Sequence, residues 1–334
     1  YEGTYCARSG SISHNQTTGL TITLDVMKAG NISFFRKVSS ESGYDYLRFY
    51  IDGQEKQKWS GNVSWGSASF SVGKGEHTFS WVYTKDQNTV GGSDQAWVDM
   101  ITFPPILIHQ QIDIHAFLEG PYSGSEMTTH LNTGNYLPLD HPYSGSPWQY
   151  SGNYQIQSIP STDVVDWALV ELRETPGDAS TATPGTMVGM MAGLLLKDGT
   201  VTATDGMSPL DYAGVLEHNL FVVLHHRNHL PVMSAFPLAK TNGVYTYDFS
   251  TGGGQAYGGT LAHSHLGNGI YGLTSGDGNA DRQVSGGDKI DIWAAQAGLS
   301  GYLEGDYDMD VNVTNGDKID QWVPNSGKGS QVPE

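Results

Sequence analysis

Two stretches near the C-terminal end carry carboxylates at a spacing that suits one kind of chemistry. Asp277, Asn279, Asp281 and Asp288 recur 29 residues later as Asp306, Asp308, Asp310 and Asp317. In each copy, side-chain oxygens stand at positions 1, 3, 5 and 12 of a loop. Alternate residues of a tightly curled loop point inward, so this spacing gathers hard oxygen donors around one cation. It is the spacing of a twelve-residue calcium loop, with Asp in place of Glu at position 12. Gln283 and Asn312 at position 7 would offer backbone carbonyls. Ser285 and Thr314 at position 9 would ligate directly or through water. Val284 and Val313 at position 8 are expected to turn inward and hold the two loops together. A single copy would pass for a solvated acidic turn. Here both copies run on with the same pattern, Asp288-Lys289-Ile290-Asp291 and Asp317-Lys318-Ile319-Asp320, each followed two residues later by Trp293 or Trp322. The two tryptophans are expected in the core of the paired loops and their short following helices.

Other residues with chemical potential form weaker sets. His225, His226 and His229, with His263 and His265 further on, suggest zinc at loose spacing, but no His-Glu-x-x-His run accompanies them. Local hydrogen bonding at a strand end explains them more simply. Asp166, Glu171 and Glu174 suggest a hydrolase carboxylate set. Their place on a strand favours salt bridges or solvation instead. Met187, Met190 and Met191 read as core filling. Cys6 is the sole cysteine, with no paired His or Asp at a recognisable spacing. No phosphate-binding or dinucleotide fingerprint occurs, nor any Gly-x-Ser-x-Gly. No catalytic residue is assigned, and the chain is read as non-enzymatic.

The elements that must position these groups read as strands. Residues 19–26 alternate with period two, and 31–38 and 44–51 follow, the last closed by a turn at Asp52-Gly53. Residues 68–72, 76–83 and 96–103 continue the pattern until Pro104-Pro105 ends it. Such spacing predicts a jelly roll or sandwich over 1–105. Residues 106–270 read as a less regular β-sandwich. Residues 164–173, 200–204 and 220–225 read as its strands, and 106–118 is a strand candidate. Met187 to Leu196 is strand or buried helix, which periodicity does not decide. Gly-rich 252–269 reads as loop or linker. Residues 271–334 hold the duplicated loops and a tail. The fold class is therefore mainly β, with jelly-roll and β-sandwich domains followed by a small α, EF-hand-like pair.

Composition excludes several classes. Acidic residues number 35 against 17 basic ones, a net charge of −18. A nucleic-acid partner would need a basic surface, so none is expected. Aromatics make up 11 % of the chain, enough to build cores and disfavour disorder. No apolar run of about 18 residues is present, so no membrane span is expected. Residues 271–334 hold 9 Asp and 2 Glu against 4 Lys or Arg. Much of the local acid excess therefore sits at ligand positions.

Residues 272–325 resemble type I dockerin repeats, in which a duplicated loop carries a helix only on its C-terminal side. The resemblance implies two Ca²⁺ ions and a helical face that docks to a cohesin-like partner. Small hydroxyl residues commonly serve as partner contacts there, whereas this chain has Lys289, Ile290, Lys318 and Ile319. Residues 39–53 and 94–101 resemble the adhesin-type jelly roll of secreted surface proteins of Bacteroidota-like bacteria. Val164-Val165-Asp166-Trp167, Glu171-Leu172-Arg173 and His226-Arg227-Asn228-His229-Leu230 resemble the module that precedes the dockerin-like pair in those proteins. Gly327 to Glu334 resembles their C-terminus.

This resemblance implies secretion, modularity and a cell-surface or matrix location. It also implies a further Ca²⁺ in the jelly roll, for which Asp45, Asp94 and Asp99 are the candidates. Jelly rolls of that kind carry an additional strand or two before the equivalent of Tyr1. The chain is therefore read as starting inside the domain, with a strand supplied upstream or by a neighbouring molecule. The expected function is a calcium-stabilised adhesion or extracellular structural protein that forms fibres or binds other copies of itself or matrix proteins. The alternative is a carbohydrate-binding module, with glycans as partners, in an assembly joined through the dockerin-like pair.

Overall fold

The computed structural model describes residues 3–152, 154–261 and 263–334. The chain divides into two compact units, 1–108 and 109–334. The duplicated loops belong to the second of these, together with the strands read as the middle module.

The first unit holds β1 (Ala7–Arg8), β2 (Thr17–Val26), β3 (Gly30–Ser39), β4 (Tyr46–Ile51), β5 (Gln54–Trp59), β6 (Asn62–Val72), β7 (Gly75–Thr84) and β8 (Gln95–Thr102). They form two four-stranded sheets ordered β1-β8-β3-β6 and β2-β7-β4-β5. These are the two halves of an eight-stranded jelly roll. Period-two burial along β4 and β7 directs Leu47, Phe49, Ile51, Phe79, Trp81 and Tyr83 inward. Phe34 from the opposite sheet meets Phe49 at 4.8 Å and Trp81 at 5.4 Å between ring centroids. This aromatic layer seals the core.

β1 pairs with β8, Ala7 opposite Val98 and Arg8 opposite Trp97. Its two residues carry no alternation that the sequence could show. So short a strand leaves the inward face of β2 open toward its start. Val26 is fully buried, while Ile22 and Leu20 are 37 % and 46 % exposed.

The second unit holds β9 (His109–His115), β10 (Phe117–Leu118), β11 (Val164–Thr175), β12 (Met187–Leu196), β13 (Thr200–Thr202), β14 (Leu210–Ala213), β15 (Asn219–His225), β16 (Val232–Met233), β17 (Ala239–Thr241), β18 (Val244–Asp248), β19 (His263–Gly267) and β20 (Ile270–Leu273). Eight of them run in the order β16-β15-β11-β12-β13-β9-β18-β17, with β14 also on β9. A small sheet, β10-β20-β19, lies beside it. β11 is central and buried on both faces, as its near-continuous apolar run requires. Met187 to Leu196 is strand β12, paired with β11 along its length. Residues 252–269, read as a linker, include β19 instead. Glycines dominate that segment and mask the short strand in the sequence. Among the described residues no helix is long and apolar enough to cross a membrane.

Candidate functional site

Each acidic loop ends in a wide π-type turn continued by an α turn. The first runs over Asp288–Trp293 and Ala294–Gln296, the second over Asp317–Trp322 and Val323–Asn325. The position-12 carboxylate at the start of each turn folds back over its own loop. Asp288 accepts from the N–H groups of Asn279 (3.1 Å) and Ser285 (2.7 Å). Asp317 accepts from Tyr307 (2.6 Å), Asp308 (3.2 Å) and Thr314 (2.7 Å). The position-1 carboxylates close the other side. Asp277 accepts from the Arg282 N–H at 3.1 Å, and Asp306 from Asp310 at 3.1 Å and Val311 at 3.0 Å. Position 5 turns the chain, with Asp281 accepting from Gln283 N–H (2.9 Å) and Asp310 from Asn312 N–H (2.8 Å). The position-9 hydroxyls cap the following turn, Ser285 accepting from Gly287 and Thr314 from Gly316.

The backbone repeats as faithfully as the side chains. Ala280 and Met309 at position 4, and Arg282 and Val311 at position 6, all have positive φ, from 55° to 86°. Position 6 is where calcium loops place glycine for the sharp turn. A β-branched valine held there at 86° is under strain.

All four end carboxylates, Asp277, Asp288, Asp306 and Asp317, are buried. Oxygens of Asp306, Asp308 and Asp317 lie within 4.8 Å of one another. Asp277 Oδ1 is buried with no hydrogen-bond partner. Burial, then the charges of Asp288 and Asp281, push Asp277 up to about 8. Burial also raises Asp306. Arg227 opposes that rise, while Asp317 and Asp308 add to it. Such crowding is what a divalent cation would relieve, and the donor set of carboxylate, amide, hydroxyl and carbonyl oxygens fits a hard ion.

A pH dependence follows. A carboxyl whose folded pKa is raised contributes stability that is complete below its unfolded value, about 4, and lost as pH climbs through its folded value. In chelator, the melting temperature should therefore fall as pH rises from 5 to 8. A thermal melt series with and without calcium checks this, and the fall should largely vanish in calcium.

The two copies are locked together by reciprocal contacts. Val284 and Val313 are buried between them, as position 8 predicts. Trp293 donates its indole N–H to the Thr314 carbonyl of the other loop (2.7 Å), and Trp322 to that of Ser285 (2.9 Å). The rings are not fully buried. Lys318 lies over Trp293 at 4.2 Å and Lys289 over Trp322 at 5.4 Å. Ile290 and Ile319 point outward.

The backbone contacts are exchanged as well. Val313 donates to Leu299, and Gly298 to Val313, both in the segment after the first helix. Twenty-nine residues on, Val284 donates to Lys328 and Gly327 to Val284, in the segment after the second. Each loop thus pairs with the segment that follows the other copy's helix. Gly327 to Ser330 is therefore a working part of the second copy rather than a free tail. Replacing Trp293 or Trp322 by Phe should cost about 1 kcal/mol each, the value of one net hydrogen bond. Urea unfolding of the calcium-loaded protein measures it.

The salt bridge expected for Asp166 is present, and its partners tie these loops to the sheet. Asp166 is completely buried. It accepts from Arg227 Nε (2.9 Å) and Tyr302 Oη (2.6 Å) and meets His226 Nε2 at 3.2 Å. Burial alone would raise its pKa, but Arg227, His226 and Tyr302 hold it below the usual range. Arg227 also donates to the Leu303 carbonyl, and Asn228 Nδ2 to the carbonyl of Asp306 at 2.7 Å. The Asn228 carbonyl receives the N–H groups of Gly276 and Asp277. The segment 226–229 therefore grips the first residue of both loops.

His226 and His229 meet at 3.1 Å between their Nδ1 atoms, and the histidines otherwise have separate partners. His225 meets Glu171 at 2.9 Å, His229 accepts from the Gly120 N–H, and His263 packs against Phe249 and Tyr271. Glu171 also binds Arg173 at 2.6 Å. Burial pushes Glu171 up, but these two partners bring it down to about 2. Glu174 instead caps the backbone of Glu217 and His218.

In the first unit, Asp45 groups with Glu41 and Asp86, not with Asp94 and Asp99 as read from the sequence. Lys85 and Tyr83 engage Asp94, and Asp99 turns back on the Met100 N–H. Asp45 is completely buried and its Oδ2 has no partner.

No family model and no curated protein matches the chain. Among solved structures, it is similar over 30 % of its length to the secreted serine protease VesC from Vibrio cholerae, at 19 % identity and a TM-score of 0.26. That match spans 21 % of VesC. A family 35 carbohydrate-binding module from an environmental isolate is similar over 30 % of this chain and 90 % of its own, at 11 % identity and 0.20. The CBM36-1 domain of a multidomain xylanase from the hindgut metagenome of Trinervitermes trinervoides is similar over 29 % and 83 %, at 16 % identity and 0.19. At these scores the likenesses carry no argument about function.

Proposed function

We propose that the chain is a non-catalytic, calcium-locked part of a secreted surface protein, with an adhesive or structural role. The carrying observation is the pair of crowded carboxylate nests at a fixed 29-residue offset, each with its position-1 and position-12 aspartates buried. One ion is held by Asp277, Asn279, Asp281, Gln283, Ser285 and Asp288. The other is held by Asp306, Asp308, Asp310, Asn312, Thr314 and Asp317. A further ion is held in the jelly roll by Glu41, Asp45 and Asp86, where the unpartnered buried Asp45 oxygen supports it. Calcium neutralises the nests and fixes two interlocked loops against the sheet, so the cations act as staples in a chain with a single cysteine. Such a body suits an environment rich in calcium outside the cell, where it presents surfaces to matrix proteins, glycans or other copies.

The test is the calcium stoichiometry of the full chain by equilibrium dialysis. Asp277→Ala combined with Asp306→Ala should lower it by two ions. An unchanged stoichiometry overturns the reading.

A further inference from the structure

A shallow dish of about 360 Å³ lies on the outer face of the large sheet, away from the acidic loops in sequence. Its floor is set by strand register. On β9, Ile112 and Ile114 enter the core, so Asp113 and His115 take the outer face. β18 runs parallel beside it, pairing Thr246 with Asp113 and Asp248 with His115. The floor is therefore two rungs of hydrogen-bonding side chains. Phe236, 58 % exposed, and Gln255 also line the dish.

The engaged and open groups can be separated. Asp248 Oδ1 takes Ser250 (2.8 Å to its N–H) and the His115 ring (3.2 Å). The Asp113 side chain makes no hydrogen bond or ion pair with another described residue. Oε1 of Gln110, beneath the neighbouring rung, is taken by Lys240, so that cation is held outside the floor. The dish thus offers carboxylate oxygens, a hydroxyl and an amide around an exposed aromatic face.

Those are the groups that grip a sugar ring. An aromatic face packs on the C–H face of a pyranose, while planar acceptors take its hydroxyls. Two carboxylates against one imidazole disfavour an acidic sugar by like charge. They favour a protonated amine, which an aromatic face also attracts.

We propose that this dish is a glycan-binding site that takes a sugar ring without acidic groups, an amino sugar best of all. It goes beyond the calcium reading and stands or falls separately from it, because none of its groups belongs to the acidic loops.

Isothermal titration of the full chain in calcium tests it, with a glucosamine hexamer, cellohexaose and a galacturonate trimer as probes. The glucosamine hexamer should bind, cellohexaose should bind more weakly, and galacturonate should not bind. Phe236→Ala should weaken the glucosamine hexamer about tenfold, and Asp113→Asn by about fivefold or more. Met207→Ala, at a side chain 83 % exposed elsewhere on the unit, should change nothing. The proposal is overturned if neither glucosamine nor glucose oligomer binds at millimolar concentration. It is also overturned if galacturonate binds as tightly, if both dish variants bind like the parent, or if Met207→Ala weakens binding equally.

Discussion

Removing calcium at pH 8 should lower the stability of the unit 109–334 by about 4 kcal/mol per ion, wherever the free ion had been a thousandfold above its Kd. The size follows from the geometry of the nests. At that pH, the metal-free chain must either ionise Asp277 and Asp306 in buried, mutually repelling positions or hold protons there. Either choice costs free energy that a divalent cation offsets. Two ions act on one interlocked body, so their effects should appear as a single cooperative shift rather than the loss of one loop. Differential scanning calorimetry with calcium and with chelator measures it. In the Asp277→Ala and Asp306→Ala double variant, the transition of the unit 109–334 should lie at the same temperature in both conditions. If the parent protein itself melts identically with and without chelator, the staple account fails.

Asp166→Asn should destabilise the same unit by about 3–5 kcal/mol, the cost of leaving a buried charge unpaired. The substitution keeps the shape and removes the negative charge. Arg227 then remains buried with its cation uncompensated, although Tyr302 still stacks beneath it at 4.3 Å. Asp166→Leu with Arg227→Met should be far milder than Asp166→Asn, since an apolar pair of similar volume costs no desolvation of charge. Calcium affinity should weaken in the single variant, because Arg227 and Asn228 hold the backbone from Leu303 to Asp306 where the second loop begins. Urea denaturation and calcium titration of the three proteins separate these effects. A loss below about 0.5 kcal/mol for Asp166→Asn, the scale of ordinary surface changes, would remove Asp166 from the account.

How much of this was legible in the sequence depends on what carries each contact. The acidic loops were, because a twelve-residue curl sets which side chains face inward, and oxygen-bearing types must stand there. The inward turn of Val284 and Val313 followed from the same curl. The exchange of closing segments was not, since Gly298 to Gly301 and Gly327 to Ser330 pair through backbone groups that every residue type offers. The recurrence of glycine at 298 and 327 was the only available signal. At Asp166 the salt bridge was legible, but its complete burial was not. β11 is covered on both faces, so alternation says nothing about which of its residues meets water. The distant Arg227, His226 and Tyr302 make that position habitable for a charge. In the jelly roll, Asp45 was identified but assigned the wrong neighbours, because Glu41 and Asp86 come to it through loops whose paths the strand pattern does not specify.

The exchanged segments bear on whether one copy could stand alone. In this arrangement each loop edge is closed by the segment that follows the other copy's helix, not by its own. Deletion of either copy should therefore leave the other with an unpaired loop edge and an unpaired closing segment, groups of the kind that invite pairing with a second chain.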